Sequence, residues 1–198
     1  MNPLDKLMVE QITTRPWHEL SLLGVEVDGD QWSMRLTLTW VERGEEQEGW
    51  SEVIGTNAGA DLFPFLEEAR VFARGAIPVA WNAPAQQKAI LELLTIADAT
   101  LEIDRTLCFL FRPSSRWLDP SVWCRARTGK HHPIETIAKS IDYKAKSRLV
   151  SIDPAELAHQ LAHREGFPVR LDWTASELAH WQEDARAAHL RTDDHPTS

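Results

Sequence analysis

The text Glu-Leu-Ala-His occurs twice, at Glu156–His159 and at Glu177–His180. Glu-x-x-His sets a carboxylate and an imidazole one turn apart on one helix face. Two such helices with two further glutamates build a carboxylate-bridged di-metal site. The residues just upstream offer a plainer use. Asp153 and Thr174 each stand three residues before the glutamate, the spacing of a capping box, in which the glutamate reaches back to the cap amide. The box accounts for both glutamates without a metal.

His159 and His163 are i, i+4 in the text His-Gln-Leu-Ala-His. It is similar to the zinc-protease signature His-Glu-x-x-His, but Gln160 stands where the general base belongs, and an amide cannot take a proton from bound water. A metal-dependent hydrolase using His131, His132, His159 and His163 is therefore a third-ranked function class. Gly55-Thr-Asn-Ala-Gly59 lacks the Lys-Ser/Thr of a phosphate-binding loop and reads as a tight turn. No Gly-x-Ser-x-Gly nucleophile motif occurs. The acid pairs Glu45/Glu46 and Glu67/Glu68 read as solvated charge. Cys108 and Cys124 are too few for a disulfide framework and read as buried thiols. No catalytic residue, resident metal or cofactor is assigned, and the reading leans to a protein that is not an enzyme.

Charge patterning supplies the stronger signal. The chain carries a net charge of -9, yet residues 105–148 hold ten Lys/Arg against three acids. The flanks are acidic, at -11 over 1–104 and -5 over 149–198. A basic island between acidic flanks suits an anionic partner. Arg125, Arg127, Lys130, Lys139, Lys144, Lys146 and Arg148 would hold phosphates, and Trp123 or Tyr143 would stack on bases. Residues 134–141, 142–143 and 144–150 read as helix, turn, helix. The text resembles a DNA-binding helix-turn-helix without the Gly usual in its turn. The opposite charge offers a rival. Glu42, Glu45, Glu46, Glu48 and Glu52 form an acidic face that could occupy the nucleic-acid site of a basic protein.

The elements that would position these residues follow from periodicity. Residues 3–13 read as a short amphipathic helix. Leu20–Val27 is apolar, Asp28-Gly29 marks a turn, and Trp32, Met34, Leu36, Leu38 and Trp40 alternate with polar residues, a hairpin signature. Residues 42–49 read as an acidic loop and 50–54 as a third strand. Helices are predicted over 61–73 and from Asn82–Pro84 onward, with strands over 77–81, 101–111 and, more weakly, 122–126. Residues 149–152 and 169–173 read as strands, each followed by a capped helix. The tail from 192 reads as frayed. Nine Trp exceed what a core needs and leave one or two for a partner surface.

The sequence thus predicts one α+β domain over 1–198, with an N-terminal antiparallel meander, helices mainly on one face of the sheet, and a soft seam at 113–115. No signal peptide opens the chain and no apolar run has membrane-span length. The expectation is a cytoplasmic protein that engages nucleic acid or a nucleoprotein through 125–148, with no membrane. An acidic inhibitor or adaptor for a basic protein is the first alternative.

Overall fold

The structure is a computed structural model that describes residues 10–11, 13–29, 33–55, 62–73, 75–96, 117–147 and 149–193. The strand expected over 101–111, with Cys108, lies outside these residues. So do Trp32, Arg105, Arg112, Arg116, Arg148, most of the helix expected over 3–13, and 194–198.

The class is α+β. Strands β1 (Leu22–Gly29), β2 (Ser33–Glu42) and β3 (Glu45–Gly55) form the antiparallel meander, and β4 (Ile77–Val79) joins β1 in parallel, giving the order β3-β2-β1-β4. The Asp28-Gly29 turn does not form. Asp28 still pairs with Arg35 and Gly29 with Met34, so the chain reverses after them. The acidic stretch 42–49 is not a loop either. Glu42 pairs with Glu45, leaving a two-residue turn in which Arg43 (φ 51°) and Gly44 (φ 78°) are both left-handed. That turn matches the right-handed twist of a hairpin. Arg at its first position, where Asn or Asp is usual, hides it in the sequence. Gly44→Ala is expected to cost about 1–2 kcal/mol, because an added Cβ would also meet the His159 ring at 3.2 Å. Arg43→Asn should stabilise by about 0.5 kcal/mol, since Asn tolerates the left-handed region. Urea denaturation measures both.

Helices cover both faces of the sheet. Leu23, Val25, Leu36 and Leu38 pack with Phe65 and Ala69 of α1 (Leu62–Phe72) and with Ile90 of α2 (Ala83–Ile96). The neighbouring Leu22 and Val41 face the other way. They pack with Val122 and Trp123 of α3 (Pro120–Thr128), Ile137 of α4 (Ile134–Ser140), Leu157 and Leu161 of α5 (Pro154–Ala162) and Leu178 of α6 (Ala175–Asp193). The sequence expectation of helices mainly on one face came from the alternation of β2, which left Thr37 and Thr39 on a polar side. Both threonines are in fact buried. Thr37 meets Ser51 Oγ at 2.9 Å, and Thr39 donates to the Asp153 carboxylate at the head of α5.

Three expected elements take other forms, each for a local reason. Residues 122–126 are helical, not extended. Asp119 accepts from Ser121 N, Pro120 opens the helix, and Gly129 (φ 73°) closes it, so caps override the β preference of Val-Trp-Cys. Residues 149–152 form no strand, because Ser147 Oγ accepts from Leu149 N and Val150 N and draws that backbone into a turn. Over 169–173 the backbone carbonyls serve the N-terminal segment: Trp17 Nε1 donates to Arg170 O, His18 Nδ1 to Leu171 O and Trp17 N to Trp173 O. The helices after them, α5 and α6, form as expected.

Candidate functional site

Several side chains of the basic segment are individually paired within the fold. Helix α4 forms, but 144–147 is not a second helix, which removes the helix-turn-helix reading. The side chains of α5 hold this stretch extended. Gln160 bonds both Lys144 N and Lys144 O, and Glu156 Oε2 accepts from Lys146 N at 3.1 Å. Lys144 pairs with Asp142 at 2.7 Å, and Lys146 pairs with Glu45 of β3 at 3.0 Å. Arg127 lies 4.5 Å over the Phe167 ring, and Arg125 Nη1 is 3.0 Å from His131 Nε2. Lys130 and Lys139 are exposed, and Arg148 lies outside the described residues.

The two expected stacking residues are committed to the interior. Trp123 is 0% exposed and donates to Gln182 Oε1 at 2.7 Å. Tyr143 is half-buried. Its hydroxyl donates to Glu156 Oε2 at 2.8 Å and accepts from Asp153 N at 3.1 Å. Burial, then the bond to Glu156, pushes its ionisation far above the ordinary phenol range. Neither ring faces an incoming base.

The Glu-x-x-His repeats resolve differently. Thr174 and Glu177 form the full box, with Glu177 Oε2 accepting from Thr174 N and Thr174 Oγ1 accepting from Glu177 N. At the first repeat, Asp153 caps Ala155 N and Glu156 N, but Glu156 turns to Tyr143 and Lys146 instead of the cap amide. His159 lies 5.4 Å from the Trp17 ring, and its Nε2 is buried with no hydrogen-bond partner among the described residues. Among the described residues, no three His, Cys, Asp or Glu side chains converge to hold a metal. Cys124 is buried with its thiol pushed up to about 12, chiefly by burial, and offers no thiolate.

Asp153 at the head of α5 and His159 within it titrate in opposite senses. Burial lifts the Asp153 carboxyl to about 6, against the donors that favour its charge. The folded state therefore holds this proton more tightly than the unfolded chain. The associated stability is present below the ordinary carboxylate value and lost as pH rises through about 6. His159 has the opposite sign. Burial, then the charges of His18, His163 and Lys146, hold it near 4, so its contribution is present above 6.5 and lost as pH falls through about 4. Asn at 153 keeps an oxygen for both cap amides but cannot titrate. Asp153→Asn should therefore leave only the His159 loss, making stability fall more steeply on acidification from 6.5 to 4 than in the parent. Urea titrations across that range measure it.

Part of the acidic stretch borders a groove. Residues of β2 and β3 that lie opposite one another share a face, so Trp40 stands with Glu48, Leu38 with Trp50, and Leu36 with Glu52. Helix α1 crosses beside them. Between strand and helix runs an open groove of about 810 Å³, floored by Trp40, Trp50 and Phe72, with Val71 on its lip at 60% exposed. Glu48, Glu67 and Glu68 edge it. The register slips between Trp40 and Val41, leaving Gln47 as the bulge residue that turns toward the groove. Trp50 packs its ring 5.4 Å from Phe65, and Trp40 Nε1 donates to Glu42 Oε1 at 3.1 Å, so both indoles are held in place. Among the described residues, no lysine or arginine lines the groove and no ion pair reaches Glu48, Glu52 or Glu68.

Of the acidic residues singled out in the sequence, Glu48 lines this groove and Glu52 continues its face. Glu42 and Glu45 are engaged with Trp40 and Lys146, and Glu46 is half-buried. Trp40 and Trp50 are half-buried and line this groove. Glu67 and Glu68 were not legible as site residues, because only tertiary packing sets α1 against β3. No family model, curated protein or solved structure matches this chain.

Proposed function

We propose that the chain is a non-enzymatic binding protein that engages a basic protein partner on its acidic, aromatic groove. One observation carries the reading: two indoles and a phenyl ring form a floor edged by three carboxylates, with no cation among the described lining residues. Aromatic faces attract Lys and Arg through the ring quadrupole, and carboxylates at the edge add charge complementarity. Such a surface repels nucleic acid and suits an inhibitor or adaptor that occupies the cationic face of another protein. Titration calorimetry with an oligo-arginine peptide tests it. Binding is expected at about 50 mM salt and should weaken steeply toward about 500 mM. The double variant Glu48→Gln/Glu68→Gln should bind about tenfold or more weakly. Equal affinity of parent and variant would contradict the reading.

A second reading keeps nucleic acid or a nucleoprotein as the partner, through the end of α3 and through α4. Its support is that Arg127, Lys130 and Lys139 are exposed, with no ion pair to either lysine among the described residues. An oligonucleotide arm of the same titration, run with Lys130→Ala/Lys139→Ala, separates the two.

A further inference from the structure

The groove is bounded on one side by a sheet edge, and among the described residues that edge is unpaired. The opposite edge is not: Leu118 N donates to Pro78 O and Ala80 N to Leu118 O, closing the outer side of β4. Strand β3 is the terminal strand on the groove side. Among the described residues, no backbone hydrogen bond leaves β3 for anything but β2. Exposed edges attract further strands, and charged side chains are the usual defence against unwanted ones. Here the defence is of a single sign. From Glu45 to Glu52 the strand carries four glutamates and no Lys or Arg. It therefore excludes neutral and acidic strands while admitting a basic one.

We propose that the partner's basic segment docks as an added β-strand along Glu48–Val53, with cations at alternate positions. This inference rests on the basic-partner reading above and specifies its geometry. Glu48, Trp50 and Glu52 are i, i+2 and i+4, so they share the groove face of β3. In an added strand, the residues opposite them also point to that face, with Cβ atoms about 5 Å from their counterparts. A segment reading cation-x-apolar-x-cation sets Lys or Arg against Glu48 and Glu52 and an apolar or Arg side chain over Trp50. The intervening residues fall beside Gly49, Ser51 and Val53; Val53 is 53% exposed, whereas the Leu149 side chain lies over Gly49, so a small residue suits the position beside it. The bulge at Gln47, whose Nε2 caps Glu45 O at 3.1 Å, ends the regular edge and limits the added strand to about six residues. Strand addition takes affinity from the main chain and selectivity from alternate side chains.

The test compares three blocked peptides by titration calorimetry with the full chain. One has alternating cations, of the type Lys-Thr-Val-Thr-Lys; one has the same composition with its cations adjacent; one is the alternating peptide N-methylated at alternate amides. The alternating peptide is expected to bind at least about tenfold more tightly than the sorted one. N-methylation in the register that faces β3 should abolish the gain, and hydrogen exchange of the β3 amides should slow in the complex. Glu48→Gln/Glu52→Gln, both at exposed positions, should remove the preference while leaving the fold intact. Equal binding of all three peptides would overturn strand addition and leave the basic-partner reading standing. No binding of any of them at about 20 mM salt, where screening is weak, would remove both.

Discussion

Asp119→Ala is expected to lower the stability of the fold by about 3–5 kcal/mol, the largest effect of any single truncation considered for this chain. Asp119 is 1% exposed and joins three helices. Its Oδ1 accepts from Asn82 N, Ser121 N and Ser121 Oγ, and its Oδ2 accepts from Ala83 N and pairs with Arg186 at 3.0 Å. One carboxylate thus caps α3, satisfies the start of α2 and neutralises a cation on α6. Truncation orphans all of these at once, and buried polar groups without partners are costly. Asp119→Asn keeps one acceptor oxygen and should fall between parent and alanine. Chemical denaturation ranks the three. If Asp119→Ala cost less than about 1 kcal/mol, the hub would not hold the helices together.

Gly24→Ala should cost about 2–4 kcal/mol, more than any ordinary strand substitution, by forcing α5 away from the sheet. A Cβ at Gly24 would collide with the Thr39 hydroxyl and reach within 2.8 Å of both Asp153 carboxylate oxygens. These atoms cannot yield cheaply. Asp153 is held by Ala155 N and Glu156 N at the helix cap, and Thr39 is locked in β2 and bonded to Asp153. The requirement is contact, not backbone conformation, so a thermal or urea measurement of Gly24→Ala reads the tightness of the α5–sheet seam directly. A near-neutral result would mean that the helix head is not seated on β1.

Much of this fold follows from local text. Met34 to Trp40 alternate, so β2 is plain; Pro64 and Gly75 bracket α1, and Asn82–Pro84 announces α2. The caps Asp153-Pro154 and Thr174 announce α5 and α6. What failed to show did so because a longer-range partner decided it. Val122–Ala126 read as strand because its apolar run masked the Asp119-Pro120 and Gly129 punctuation on either side. Lys144–Ser147 read as helix, but Glu156 and Gln160 bond its backbone from another element. The basic island was visible as composition. The pairing of its members was not, because Asp142, Glu45, Phe167 and His131 meet their cations only after folding. The acidic half of the candidate site was legible as charge. Its aromatic floor was not, since Trp40 and Trp50 read as core and only the β2–β3 register places them beside Glu48 and α1.

The most direct measurement of the central claim is a titration of isotope-labelled protein with the alternating basic peptide, followed by backbone and indole amide shifts. The largest changes are expected on Trp40, Trp50 and the β3 amides from Glu48 to Val53, and Glu48→Gln/Glu68→Gln should suppress them. Changes confined to Arg127, Lys130 and Lys139, appearing with an oligonucleotide while the groove stays silent to the peptide, would contradict it.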